Sequence, residues 1–428
     1  MFVNFDASFW QDSKLKQVEP RIVANLLALD QDRALAPSDR LALKRKLVKI
    51  SAVWEFFGHF SAIRDVNKCA ARIGLLLSTT RHVEWIRDKD WMIEDDVARN
   101  GFLFTDGCGR MSVRFAKRFI NANRYGWRYA HQRHHVPSVL QIRMMGCKGI
   151  VMLDPSLDND SRGIEIVLRK SQEKFAWNME TSKGSGKLRE HQGMRRHIGW
   201  GRLVGICRRG ESRPFVYGRM CKQYVLLLSA CGIGDETLLQ IQQEYFAMLR
   251  RCLDDRLAAF QILCGNSKLD EAEELSKLDE ELELPEAVLA QLNKYRRIIL
   301  EPCAPENAEK LAFSIPILKS RNIFGVADIS GQLSRDECFV QVTEHSACSH
   351  DSYRRVRQSS SRLNVVPLPE GTKILIMKSP TYYPGDVRVL TQKYVAQLDH
   401  LVDCVVFPVQ NIDRPHPHEI HERSVTLK

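Results

Sequence analysis

Val139-Leu-Gln-Ile-Arg-Met-Met-Gly-Cys-Lys-Gly-Ile-Val-Met-Leu153 reads as a strand, a glycine-flanked bend and a second strand, with a cation at the bend. Its neighbours repeat the pattern. Phe102-Leu-Phe104 and the hairpin-type turn at Asp106-Gly107 precede it, and Ile164-Glu-Ile-Val-Leu168 follows. Short strands without helices between them, from Gly101 to Leu168, predict a small barrel or sandwich.

On the amino-terminal side the period changes. Ile22, Leu26 and Leu29, then Leu43, Leu47 and Ile50, recur at helical spacing, so residues 1–97 are expected to be a helical support region. On the carboxyl-terminal side, Leu238, Ile241, Tyr245, Leu249, Leu253, Leu257 and Phe260 mark one long amphipathic helix opened by Asp235 after Gly234. The acidic stretch Leu269 to Pro285 extends a helical neck. Strands return at Asn322–Ala327, Cys338–Val342, Lys373–Met377 and Val402–Phe407, with a Ser- and Arg-rich surface loop at 346–364. The chain therefore reads as α+β, with two β units joined by helices and no repeat of about 20 to 50 residues.

Composition narrows the function. The 428 residues leave room for roughly two to four domains, and 44% hydrophobic residues can supply each with a core. A formal net charge of +11 favours a polyanionic partner. Much of that excess sits in Arg162 to Arg213, where 13 Lys or Arg face 5 Asp or Glu. Twelve scattered cysteines without a Cys-x-x-Cys pair argue against zinc ribbons and disulfide scaffolds. With no basic-then-apolar start and no long apolar run, a cytoplasmic or nuclear protein is expected, not a secreted one, and no membrane partner. Lys44-Arg-Lys46 fits the solvated face of a helix.

Several motifs carry no chemistry. Ser182-Lys-Gly-Ser-Gly-Lys-Leu188 lacks the first glycine and the final Ser or Thr of a phosphate-binding P-loop, which leaves Lys183 and Lys187 on a basic loop able to contact a nucleic-acid backbone. His131, His134 and His135, and His416, His418 and His421, have no carboxylate or thiol placed to complete a metal site. The Asp-x-Asp pairs at 30/32, 88/90 and 158/160 read as surface turns.

The order of segments is more informative than any one of them. Ala70–Arg81, Phe104-Thr-Asp-Gly-Cys-Gly-Arg-Met-Ser112, Gln141–Gly149, Leu168-Arg-Lys-Ser-Gln-Glu-Lys-Phe175, Pro380–Arg388, Leu401–Pro408 and Arg414-Pro-His-Pro417 run in one order. Together they resemble the cellular RNA-dependent RNA polymerases of RNA silencing, whose core holds two double-psi β-barrels. The resemblance implies a first barrel with a basic insertion over 98–234, a helical neck over 235–310 and an incomplete second barrel over 311–428. It also implies RNA template and nucleoside triphosphates as partners, silencing proteins beside them, and magnesium as cofactor. By position Lys148 and Lys174 are the cleft cations, with Arg143, Arg169 and Lys170 as further phosphate contacts.

Departures from the family are also visible. Tyr382-Tyr-Pro384 stands where the family has Leu-His-Pro, Ser334-Arg-Asp-Glu337 replaces a Tyr-Gly-Gln turn, and 343–363 is enlarged. After Arg414-Pro-His-Pro417 the family continues into Asp-x-Asp-Gly-Asp, the carboxylate loop that gathers two metal ions. This sequence reads His418-Glu-Ile-His-Glu-Arg-Ser-Val-Thr-Leu-Lys428 instead, so the expectation is a fragment without the metal ligands. A non-catalytic RNA-binding or partner-binding module is the alternative. A two-barrel subunit of a DNA-dependent RNA polymerase ranks behind both.

Overall fold

The computed structural model describes residues 58–75, 82–118, 136–176, 203–210, 218–266, 268, 271–272, 274–275, 278, 282–300, 315–317, 320–344, 364–378, 383–409 and 424–427. Lys183, Lys187, both histidine groups, Lys44–Lys46, most of the 346–364 loop and Arg414–Pro417 lie outside the described residues.

Among the described residues, ten strands precede the helical neck: β1 (His82–Trp85), β2 (Trp91–Glu94), β3 (Ala98–Arg99), β4 (Phe102–Leu103), β5 (Cys108–Met111), β6 (Val139–Met144), β7 (Cys147–Leu153), β8 (Ile166–Arg169), β9 (Leu203–Arg209) and β10 (Gly218–Met220). Eight follow it: β11 (Ile315–Ile317), β12 (Arg321–Ala327), β13 (Glu337–Glu344), β14 (Asn364–Pro367), β15 (Lys373–Lys378), β16 (Val387–Gln392), β17 (Cys404–Phe407) and β18 (Ser424–Leu427).

A first seven-stranded sheet has the order β1-β9-β6-β7-β5-β8-β2. It contains two parallel pairs, β2 with β8 and β5 with β7. β1 and β2 belong to this sheet, so 82–94 departs from the helical reading of 1–97. Four-residue strands between charged turns are too short to impose their own period.

A second seven-stranded sheet has the order β14-β13-β16-β15-β18-β12-β17 and an additional β13–β17 pairing. That pairing closes β12, β13, β15, β16, β17 and β18 into a ring. β18 pairs antiparallel with β12 on one side and with β15 on the other. Ser-Val-Thr-Leu, with two β-branched residues, suits that place.

Strand periodicity explains how the sheets meet. On β17, Val405 and Phe407 pack with Ile323, Val340 and Ile374 on one face of the second sheet. Cys404 and Val406, on the other face, join Phe324, Val326 and Phe339 against Met111, Leu140, Ile142 and Met152 of the first sheet. With both faces covered, Cys404-Val-Val-Phe407 is a continuous apolar run.

Polar side chains tie the seam at defined points. Ser138 Oγ accepts from the Val402 amide at 2.8 Å and donates to the His400 carbonyl at 3.2 Å. The His400 ring Nε2 lies 3.1 Å from the Leu153 carbonyl oxygen. Asp403, at φ 60°, accepts from the Thr343 amide and hydroxyl at 2.7 and 2.8 Å.

The neck departs from the single-helix expectation. Asp235–Arg251 is one helix and Arg256–Gly265 a second, with Asp255 as the N-cap that accepts from the Ala258 amide. The apolar spacing runs through the break because both helices bury the same kind of face: Tyr245, Leu249, Phe260 and Leu263 share one core with Leu292 of the helix Glu286–Leu300.

Candidate functional site

The β6–β7 hairpin turns through Met145 and Gly146, both at positive φ (43° and 78°), the combination of a two-residue primed turn. A Cβ at Gly146 would sit 2.3 Å from the Phe175 carbonyl oxygen, so the chain leaving β8 passes directly over the turn. The Lys174 amide donates to the Gly146 carbonyl at 3.0 Å, and Cys147 and Glu173 form an isolated antiparallel bridge. These contacts set the Lys174 backbone against the turn that leads into Lys148. Arg143 lies directly opposite Lys148 in the β6–β7 register, so two cations share one face of the hairpin. Arg143 itself is 9% exposed and donates to the Ile142 carbonyl at 2.8 Å.

The Lys170–Gln172 turn after β8 is held from below. The Gln172 amide donates to the Gly107 and Ile150 carbonyls at 3.2 and 3.0 Å. It fills the space where a Cβ on Gly149 would be, 2.2 Å from its nitrogen.

An acidic run that the sequence reading passed over, Glu94-Asp-Asp96, faces the basic run Arg169-Lys-Ser171. β2 and β8 are parallel with Glu94 opposite Arg169. Glu94 receives Arg110 at 2.6 Å and Arg169 at 3.1 Å. Arg169 also donates to the Asp95 carbonyl at 2.8 Å, and Lys170 pairs with the Asp95 carboxylate at 2.6 Å. Asp96 accepts from the Ser171 amide and hydroxyl at 2.8 and 2.7 Å and from the Thr105 hydroxyl at 3.1 Å. Arg169 is thus buried beside Glu94, whereas Lys170 stays exposed and forms a surface pair with Asp95. Lys174 differs. Its ammonium donates to the Ser171 carbonyl and, among the described residues, pairs with no carboxylate.

Carboxylate neighbours act on two of these cations. Burial works against the Arg110 charge, but Asp154 and Glu94 outweigh it and raise its pKa. The Asp95 hydrogen bond raises that of Lys170. Burial pushes the thiols of Cys108 and Cys147 up to about 11 and about 12, so neither is a nucleophile near neutral pH.

Beside the acidic run a cavity of about 380 Å³ opens at the seam, lined by Arg99, Thr105, Arg110, Arg169, Asp328 and Val409 among others. Asp328 is engaged by its own loop, accepting from the Ser330 amide and hydroxyl, the Gly331 amide and the Leu333 amide at 2.6 to 3.1 Å.

A metal finds no place among the described residues, where no three His, Cys, Asp or Glu side chains gather. The buried carboxylates are already matched: Asp90 to Arg87, Asp154 to Arg110 and Ser156, Glu165 to Arg114 and Arg118, Asp328 to its loop and Asp403 to Thr343. No described helix is long and apolar enough to cross a membrane.

Comparison with known proteins gives one consistent answer. The family model described as RNA dependent RNA polymerase matches residues 3–421. RNA-dependent RNA polymerase 6 of Arabidopsis thaliana is 30% identical over 384 residues, covering 87% of this chain and 28% of that protein. The probable RNA-dependent RNA polymerase 2 of Oryza sativa subsp. japonica is 29% identical over 379 residues, covering 85% and 28%. RNA-dependent RNA polymerase 1 of Schizosaccharomyces pombe is 27% identical, covering 85% and 27%. This chain thus spans less than a third of the length of these relatives. Among solved structures, RNA dependent RNA polymerase QDE-1 from Thielavia terrestris matches with a TM-score of 0.55 at 18% identity, over 87% of this chain and 38% of that one.

Proposed function

Because this chain belongs to the RNA-dependent RNA polymerase family, we propose that it forms the phosphate-contacting part of a template-directed nucleotidyltransferase. The reaction is the copying of single-stranded RNA into double-stranded RNA for silencing, with RNA template and nucleoside triphosphates as partners, in the cytoplasm or nucleus. The observation that carries this reading is the Cys147–Glu173 bridge, which sets the Lys174 backbone against the turn that leads into Lys148, beside the Arg143 strand. RNA phosphates or a triphosphate are the anions that basic side chains of this kind bind.

Two double-psi β-barrels are the finer description of the sheets. Each sheet has seven strands and two parallel pairings, β2 with β8 and β5 with β7 in the first, β12 with β17 and β13 with β16 in the second. The first barrel then runs from His82 rather than from 98, the neck fills 235–310 and the second barrel 311–428.

Magnesium is the ion that two-metal nucleotidyl transfer uses. The described residues do not fit it, and what they contribute is charge and position: Lys148, Lys174 and Arg143 meet phosphate, while the Glu94–Asp96 run orders the segment that carries Lys174.

A second reading, an RNA-binding module without polymerase activity, is motivated by the basic segment Arg162 to Arg213. One experiment separates the two. The purified chain is incubated with single-stranded RNA, labelled nucleotides and magnesium. Salt-sensitive RNA binding with incorporation supports the polymerase reading, and binding without incorporation supports the binding module. No RNA binding overturns both.

A further inference from the structure

We infer that Asp96 is a positioning residue that sets the ammonium of Lys174 through Ser171; the inference rests on Lys174 as a phosphate contact. Ser171 has a backbone amide, a hydroxyl and a carbonyl. Asp96 accepts from the first two at 2.8 and 2.7 Å, one on each carboxylate oxygen, and the third accepts from Lys174 Nζ.

Two further contacts fix the same residue. Ser171 Oγ accepts from the Gly107 amide at 2.9 Å, and Thr105 holds Asp96 from the other side at 3.1 Å. With its amide and hydroxyl both pinned, Ser171 has its carbonyl direction set. That direction decides where the flexible lysine stem ends. An ammonium has three donors, and one tethered donor orients the remaining two without neutralising the charge, as a carboxylate partner would. Arg169 and Lys170, on the same turn, instead pair with the carboxylates of Glu94 and Asp95, the second pair at the exposed surface.

Asparagine at position 96 keeps the shape but cannot accept from both Ser171 donors through separate oxygens. Titration calorimetry of the full chain with inorganic tripolyphosphate reads the effect. Lys174→Ala is expected to weaken binding about tenfold, about the loss of one charge-assisted hydrogen bond, and Asp96→Asn several-fold. The double variant Asp96→Asn with Lys174→Ala is expected to bind no more weakly than Lys174→Ala alone, which a general structural role for Asp96 would not produce.

Unchanged binding by Lys174→Ala removes the phosphate role of Lys174. A loss with Lys174→Ala but none with Asp96→Asn overturns the positioning role and leaves Lys174 standing. Additive losses in the double variant also overturn it. Should Asp96→Asn not fold, Ser171→Ala serves instead, with a smaller loss expected that vanishes when Lys174 is already alanine.

Discussion

His400 and Leu153 meet across the seam, the imidazole Nε2 of one sitting 3.1 Å from the carbonyl oxygen of the other. Burial lowers the His400 pKa from its ordinary 6.5 despite that contact and the nearby Asp154. A depressed histidine leaves the unfolded chain binding more protons below 6.5, so stability is full above that pH and declines as pH falls through the folded value. Melting temperature measured against pH should drop on acidification, and His400→Gln should flatten that drop.

Gly146→Ala places a Cβ 2.3 Å from the Phe175 carbonyl oxygen at a φ of 78°. A loss of about 1–3 kcal/mol in denaturant unfolding is expected. RNA affinity should fall with it, because the Lys174 backbone is set against the same turn that leads into Lys148.

Asp328→Ala strips four accepted hydrogen bonds from the 328–333 loop. The expected cost is about 2–4 kcal/mol, read by chemical denaturation. Asp328→Asn should recover part of it, since one amide oxygen can still accept from the loop.

Lys148→Ala and Lys174→Ala should each weaken single-stranded RNA binding and lower the slope of log affinity against log salt by about 0.7, the contribution of one phosphate contact. Lys170→Ala, whose exposed ammonium forms a surface pair with Asp95, should lower the slope by less.

Val425→Pro tests the ring. β18 pairs with β12 and β15 at once, with Val425 opposite Ile323 and Lys378. A proline between two partners removes a ladder donor and should cost about 1–3 kcal/mol. Circular dichroism should show a lower, broader melt.

The hairpin at 139–153 was legible because glycine at the bend and β-branched or apolar residues around it agree on one local structure. The break between Arg251 and Arg256 was not, because Leu249, Leu253 and Leu257 keep helical spacing across it. The only local sign is Asp254-Asp255, and the second of these is the cap. The cations were legible as types but not as states. Arg169, Lys170 and Lys174 lie within six residues, yet which pair with carboxylates depends on Glu94-Asp-Asp96, joined to them only by the parallel β2–β8 pairing. No spacing rule reports such a pairing. The closure of the second ring was not legible for the same reason, since β18 meets β12 about a hundred positions away in the chain.

The shared apolar cluster at the seam has a consequence for how the chain is made. Every strand of the first sheet has left the ribosome by Arg209, whereas Phe324, Phe339 and Val406, which cover Met111, Leu140 and Met152, come more than a hundred residues later. At a synthesis rate of roughly 5 to 20 residues per second, that face stays open to water for several seconds. A nascent chain in that interval presents a greasy surface to its neighbours, so the yield of native protein should depend on holdase chaperones during synthesis more than on the stability of the finished fold.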